Sequence, residues 1–102
     1  MDRTLYRRVV CADGFSVSIQ ANDTAYCEPR ISGAERYHRV ELGFPSGADE
    51  MILEYAEDPT RPTETVYGYV PVEIVNFLIA KHGGIADGNA PPGVICLPAI
   101  KE

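Results

Sequence analysis

Apolar and polar residues alternate with period two through residues 8–20, and recur with period three to four in one stretch near residue 75. The first alternation brackets Asp13-Gly14, a dipeptide suited to the positive φ values of a two-residue type I′ turn. Pairing Ala12 with Phe15 sets Cys11 opposite Ser16, Val10 opposite Val17 and Arg8 opposite Ile19. Val10, Ala12, Phe15, Val17 and Ile19 then face the core, while Cys11, Ser16, Ser18 and Gln20 face away. Two further alternations, over residues 37–44 and 50–56, predict a second hairpin with the intervening residues as its loop. Its register places Phe44 opposite Met51, Leu42 opposite Leu53, Val40 opposite Tyr55 and, on the solvent face, Glu41 opposite Glu54. Like charges so placed cost roughly 0.2–1 kcal/mol.

Residues 64–70 predict a fifth strand in which Tyr67 and Tyr69, two apart, share one face. A helix follows from Pro71 to His82, with Val72, Val75, Leu78, Ile79 and His82 on one stripe. Glu73 in its first turn and Lys81 and His82 in its last suit the helix dipole, and Gly83-Gly84 supplies the stop. Ile74 and Phe77 widen the apolar surface, so this helix is nearly enclosed or buries a second side in a partner. Residues 21–36 show no period and form a long connection; Asp58-Pro59-Thr60-Arg61-Pro62 forms a turn. Residues 85–102 make a Pro/Gly-rich tail in which 94–97 predict a short edge strand. Together these elements give one α+β domain spanning 1–102: an antiparallel sheet of about five strands with one main helix packed on it.

Charge is segregated along this pattern. Residues 41–80 hold eight carboxylates and one cation, Arg61, whereas 1–40 hold six arginines against five acids and 81–102 two lysines against two acids. The sums, −7, +1 and 0, account for the net charge of −6. The acids in question are Glu41, Asp49, Glu50, Glu54, Glu57, Asp58, Glu64 and Glu73. A negative surface of this kind favours a basic partner and opposes direct binding to nucleic acid, despite Arg3, Arg7, Arg8, Arg30, Arg36 and Arg39.

Motifs that would carry chemistry are missing. His38 and His82 lack the close ligand spacing of zinc sites, Ser46 lacks a nucleophile-elbow context, and the glycines form no phosphate-binding fingerprint. The reading is of a non-enzymatic chain without metal or cofactor. Cys11, Cys27 and Cys96 are odd in number and far apart, which predicts free thiols and a cytoplasmic setting. No apolar run approaches the length of a membrane span, and the first eight residues carry no signal-peptide core.

Several blocks together resemble a group of small accessory proteins of tailed phages and prophages: Cys11-Ala-Asp-Gly-Phe-Ser16, Tyr26-Cys-Glu-Pro-Arg30, Val40-Glu-Leu-Gly-Phe-Pro-Ser46, Pro62-Thr-Glu-Thr-Val-Tyr-Gly-Tyr-Val-Pro71 and Lys81-His-Gly-Gly84. The resemblance spans most of residues 10–84 and carries over no catalytic residue. It implies a small protein acting in a bacterial cytoplasm. The group is mostly of unassigned function; small acidic phage proteins of this size include inhibitors of host defence, among them anti-CRISPR proteins that occupy nucleic-acid channels.

These readings combine into an expectation. Glu41, Glu50, Glu54, Glu57, Asp58 and Glu64, with Tyr67 and Tyr69 as anchors, form a face that docks on a basic host surface, such as one that holds nucleic acid. The alternative is a homodimeric phage interaction or structural module acting through apolar helix contacts at Ile74 and Phe77. A small hydrolase or ligand-binding domain is the third class, with loop 21–36 as the segment to build its pocket.

Overall fold

The computed structural model describes residues 5–95. Its five strands are β1 (Val9–Cys11), β2 (Ser16–Gln20), β3 (Arg39–Gly43), β4 (Val66–Pro71) and β5 (Ile85–Asp87). They form one sheet in the order β4-β3-β2-β1-β5, every neighbouring pair antiparallel. Helix α1 (Val72–Lys81) leaves one sheet edge at β4 and delivers the chain to the other edge at β5. Val72, Val75, Leu78 and Ile79 pack down into a core shared with Val9, Val17, Ile19, Val40, Leu42, Tyr67 and Val70. The expected α+β class, with about five strands and one helix, is what the chain forms.

The first hairpin turns at the expected Asp13-Gly14, but through a different turn type and in a different register. Val9 pairs with Val17 and Val10 with Ser16. Three residues, Ala12, Asp13 and Gly14, make the loop: Gly14 N–H donates to Cys11 O at 3.0 Å, and Cys11 N–H to Phe15 O at 2.8 Å. Gly14 takes the left-handed position (φ 95°), and Asp13 Oδ1 accepts from Phe15 N–H at 2.9 Å. This is a type I turn closed by a glycine bulge rather than a type I′ turn. A one-residue slip exchanges the faces. Val9 and Cys11 are therefore buried, Val10 is half-buried and Ala12 is exposed, the reverse of the expectation for this strand, while Phe15, Val17 and Ile19 are buried as expected.

The second hairpin does not exist as expected. β3 pairs with β2 (Ile19 with Leu42, Gln20 with Glu41) and with β4 (Val40 with Val70, Leu42 with Tyr67). Residues 50–56 instead form turns and a 3-10 helix, Leu53–Tyr55, with Ile52 fully buried. Phe44, assigned to the core face, turns out at φ 50° and is exposed. Glu41 therefore opposes Gln20, not Glu54.

β4 carries a bulge where the register with β3 shifts between Val40 and Leu42. Tyr69 adopts φ 54° there. Its N–H leaves the ladder and donates to Tyr26 O at 3.0 Å, so the 21–28 segment crosses to β4 at that point. The bulge lets Tyr67 and Val70 both face the core while Tyr69 points away, so the two tyrosines do not share a face.

α1 runs close to its expected limits, with Pro71 as N-cap and His82 as C-cap. Gly83 N–H donates to Ala80 O and Gly84 N–H to Ile79 O, a Schellman closure with Gly83 at φ 92°. The edge strand expected at 94–97 is not seen at Val94 and Ile95, and its other half lies outside the described residues. None of the described helices is long and apolar enough to cross a membrane.

Candidate functional site

The β3–β4 connection carries most of the acids and wraps the outer edge of β4. Ala56 bridges Tyr67, Glu57 N–H donates to Val66 O at 2.9 Å, and Asp58 N–H donates to Thr65 Oγ1 at 3.1 Å. Glu50, Glu54, Glu57, Asp58 and Glu64 are all exposed along this path. Two of them are engaged locally. Glu64 pairs with Arg61 at 2.6 Å, which neutralises the cation within the connection. Asp58 Oδ1 accepts from Thr60 Oγ1 at 2.6 Å and Thr60 N–H at 3.1 Å, contacts that hold its carboxyl below the usual range.

Glu41 is separate from the rest of that row. It sits half-buried on the sheet face away from α1, where Tyr26 N–H approaches its Oε2 at 3.4 Å. Burial pushes its carboxyl up; Tyr26 N–H and Arg30 offset this in part, and the Glu57 charge adds to the rise. Among the described residues neither Glu41 nor Glu57 has an ion-pair partner.

Of the two expected tyrosine anchors only one is available. Tyr67 is fully buried and its hydroxyl donates to Pro62 O at 2.6 Å, so it belongs to the core. Burial raises its phenol accordingly. Tyr69 is 39% exposed and lies beside Tyr26, 40% exposed, with ring centroids 5.9 Å apart and planes at 35°. The Arg30 guanidinium lies 5.5 Å from the Tyr26 ring centroid. Tyr26 rests on Gly68, where a Cβ would come within 3.2 Å of the Tyr26 Cβ. Sequence reasoning missed Tyr26 because residues 21–36 carry no period to place it.

On α1, Ile74 is half-buried against the core and Phe77 is 66% exposed. Phe77 borders a shallow hollow of about 300 Å³ together with Glu73, Asn76 and Ala80. The helix is therefore enclosed on one side only.

The other polar constellation joins three distant segments at the end of α1. His82 Nδ1 lies 2.6 Å from Asp13 Oδ2, and its Nε2 lies 3.1 Å from Asp49 Oδ2. The ring stacks on Phe15 with centroids 4.0 Å apart and planes at 8°. Lys81 Nζ reaches Asp49 Oδ2 at 3.0 Å, and Met51 N–H reaches Oδ1 at 2.9 Å. Burial alone pushes the Asp49 carboxyl up, but the hydrogen bonds from Met51, Lys81 and His82 outweigh it and leave the group below its ordinary value. Asp13 is lowered as well, chiefly by its hydrogen bond to His82 and then by Phe15 N–H. With a carboxylate at each nitrogen and an aromatic ring on its face, His82 has no free nitrogen to exchange a proton with a ligand. The cluster clamps the hairpin turn and residue 49 to the helix end.

Other chemistry finds little purchase. Cys11 and Cys27 are free, buried thiols whose ionisation is made harder by burial, the opposite of an activated nucleophile. Among the described residues no three His, Cys, Asp or Glu side chains are grouped to hold a metal ion. No protein-family profile matches this chain, and no curated protein or solved structure matches it.

Proposed function

We propose that the chain is a small binding protein of the phage-accessory kind whose acidic sheet edge docks on a basic protein surface, such as one that holds nucleic acid. One observation carries this reading: in the β3–β4 connection Glu50, Glu54 and Glu57 stand exposed and, among the described residues, without ion-pair partners, while Arg61 is tied up by Glu64. Exposed unpaired carboxylates in a row set up a field that steers a positive partner and falls with salt. Their cost to the fold is small because water screens them.

Affinity capture from a bacterial lysate, wild type against Glu54→Lys plus Glu57→Lys, tests the idea. The doubly reversed protein should lose partners that the wild type retains at low salt and releases at high salt. Identical capture by both proteins, insensitive to salt, removes the proposal.

A second reading rests on Phe77, which is the most exposed large hydrophobic side chain of α1 and borders an apolar hollow. Here two copies meet through this helix face, and the acids serve solubility. Light scattering decides it: a dimer that Phe77→Glu converts to a folded monomer supports this version, and a wild-type monomer at high concentration ends it.

A further inference from the structure

The tyrosine pair is displayed at a cost. Tyr69 holds φ 54°, a region where a side chain with a Cβ costs roughly 1–2 kcal/mol and where glycine or asparagine is the ordinary choice. Its neighbour Gly68 keeps an ordinary backbone, so the strained position of the bulge is given to the aromatic residue. Core packing does not explain this, because Tyr69 points outward and its N–H is already satisfied by Tyr26 O. Backbone strain of this kind clusters at ligand-binding sites, and at Tyr69, unlike Phe44, it sets one exposed aromatic beside another, Tyr26.

The charges around the pair define what it contacts. The Glu41 carboxylate receives Tyr26 N–H at 3.4 Å; among the described residues it has no ion-pair partner, and Arg30 lays its guanidinium over the Tyr26 ring near enough to ease the Glu41 charge. The chain thus shows, within itself, a planar cation seated on this aromatic surface. Arg30 is held there weakly, by one 3.3 Å hydrogen bond to Thr24 O, and it is exposed.

We infer that Tyr26 and Tyr69, with Glu41, form a socket for an arginine side chain of a protein partner, and that Arg30 is an internal placeholder which that arginine displaces. A guanidinium suits the site better than an ammonium, because its plane stacks on a ring while its edge donates to a carboxylate. This inference rests on the acidic-edge reading and specifies the anchor within it.

Two fluorescein-labelled decapeptides, one alternating arginine with glycine and one alternating lysine with glycine, supply the test by fluorescence anisotropy. The wild type should bind the arginine peptide about three- to fivefold more tightly, the size of an exposed cation–π contact. Tyr69→Asn, which suits a positive φ and keeps the backbone, should abolish that preference, as should Tyr26→Leu. Arg30→Ala should enlarge it by removing the competitor. Glu50→Lys plus Glu54→Lys should weaken both peptides together and leave their ratio unchanged. Equal binding of the two peptides by the wild type, or a ratio unaffected by Tyr69→Asn in a protein that melts at or above the wild-type temperature, overturns the socket while the acidic edge stands. If charge reversal and salt leave both affinities unchanged, the edge reading falls and takes the socket with it.

Discussion

Replacing Asp49 by asparagine probes the clamp at the end of α1 with little change of shape. The Asp49 side chain is 3% exposed and receives His82, 15% exposed, and Lys81, 51% exposed. A hydrogen bond to a buried charged group contributes about 1.5–3 kcal/mol, whereas a half-exposed lysine contributes about 0–1 kcal/mol. Asparagine keeps an acceptor for Met51 N–H and part of the His82 contact, so the net loss is about 2–3 kcal/mol. For a domain of this size that corresponds to a fall in melting temperature of about 10–15 °C. Urea unfolding near neutral pH, followed by far-ultraviolet circular dichroism, measures it in a chain without tryptophan.

The pH dependence adds a second constraint. Because the folded carboxyl is held below its unfolded value, its contribution is complete above about pH 4 and is lost as pH falls through the folded value. The gap between wild type and Asp49→Asn should therefore hold steady from about pH 6 to pH 5 and close in stronger acid. An unchanged urea midpoint for the variant, or a gap that does not narrow between about pH 5 and pH 2, refutes the clamp as an energetic feature.

Other substitutions should act as follows. Glu41→Gln should raise the melting temperature at neutral pH, because burial disfavours the charged form; the gain should vanish below about pH 4, where the unfolded carboxyl is also protonated. Phe44→Asn relieves a positive φ at an exposed aromatic and should stabilise by about 1 kcal/mol in urea melts. Gly88→Ala should cost at least about 3 kcal/mol or prevent folding, since its Cβ would fall 2.1 Å from Arg8 O at φ 93°, with soluble yield and circular dichroism as the readouts.

Helix α1 was readable in the chain because its signals agree: a 3.6-residue stripe, dipole-matched termini and a Gly-Gly stop that closes as a Schellman motif. The first hairpin was half readable. Asp13-Gly14 marks a turn, but the same dipeptide serves a two-residue loop or the end of a three-residue one, and the choice moves Cys11 from the surface to the core. Met51, Leu53 and Tyr55 mimic a strand, yet the pairing that wins for β3 is with β2 and β4, more distant in sequence than the adjacent segment. Short alternations cannot reveal a contact made over twenty residues away. The same limit hid the surface pair. Tyr26 and Tyr69 meet through a bulge whose left-handed residue is a tyrosine, a type that announces no such conformation. His82 was readable as a stripe and dipole residue of the helix but not as a carboxylate partner, since neither Asp13 nor Asp49 is near it in the chain.

Strand order sets a schedule for making this molecule. β1 is paired on one side by its immediate neighbour β2, but its other side waits for β5, with Cys11 meeting Ile85 across roughly 75 residues. Closing a loop of that length costs about 4 kcal/mol of chain entropy before the pairing repays it. During synthesis at about 5–20 residues per second, the first hairpin spends roughly 4–15 s with its outer edge uncovered. For that interval its unsatisfied backbone groups are open to any other extended chain. The final three-residue strand therefore acts as a seal as well as a sheet element, and the hairpin's exposure to misassembly ends only when it is in place.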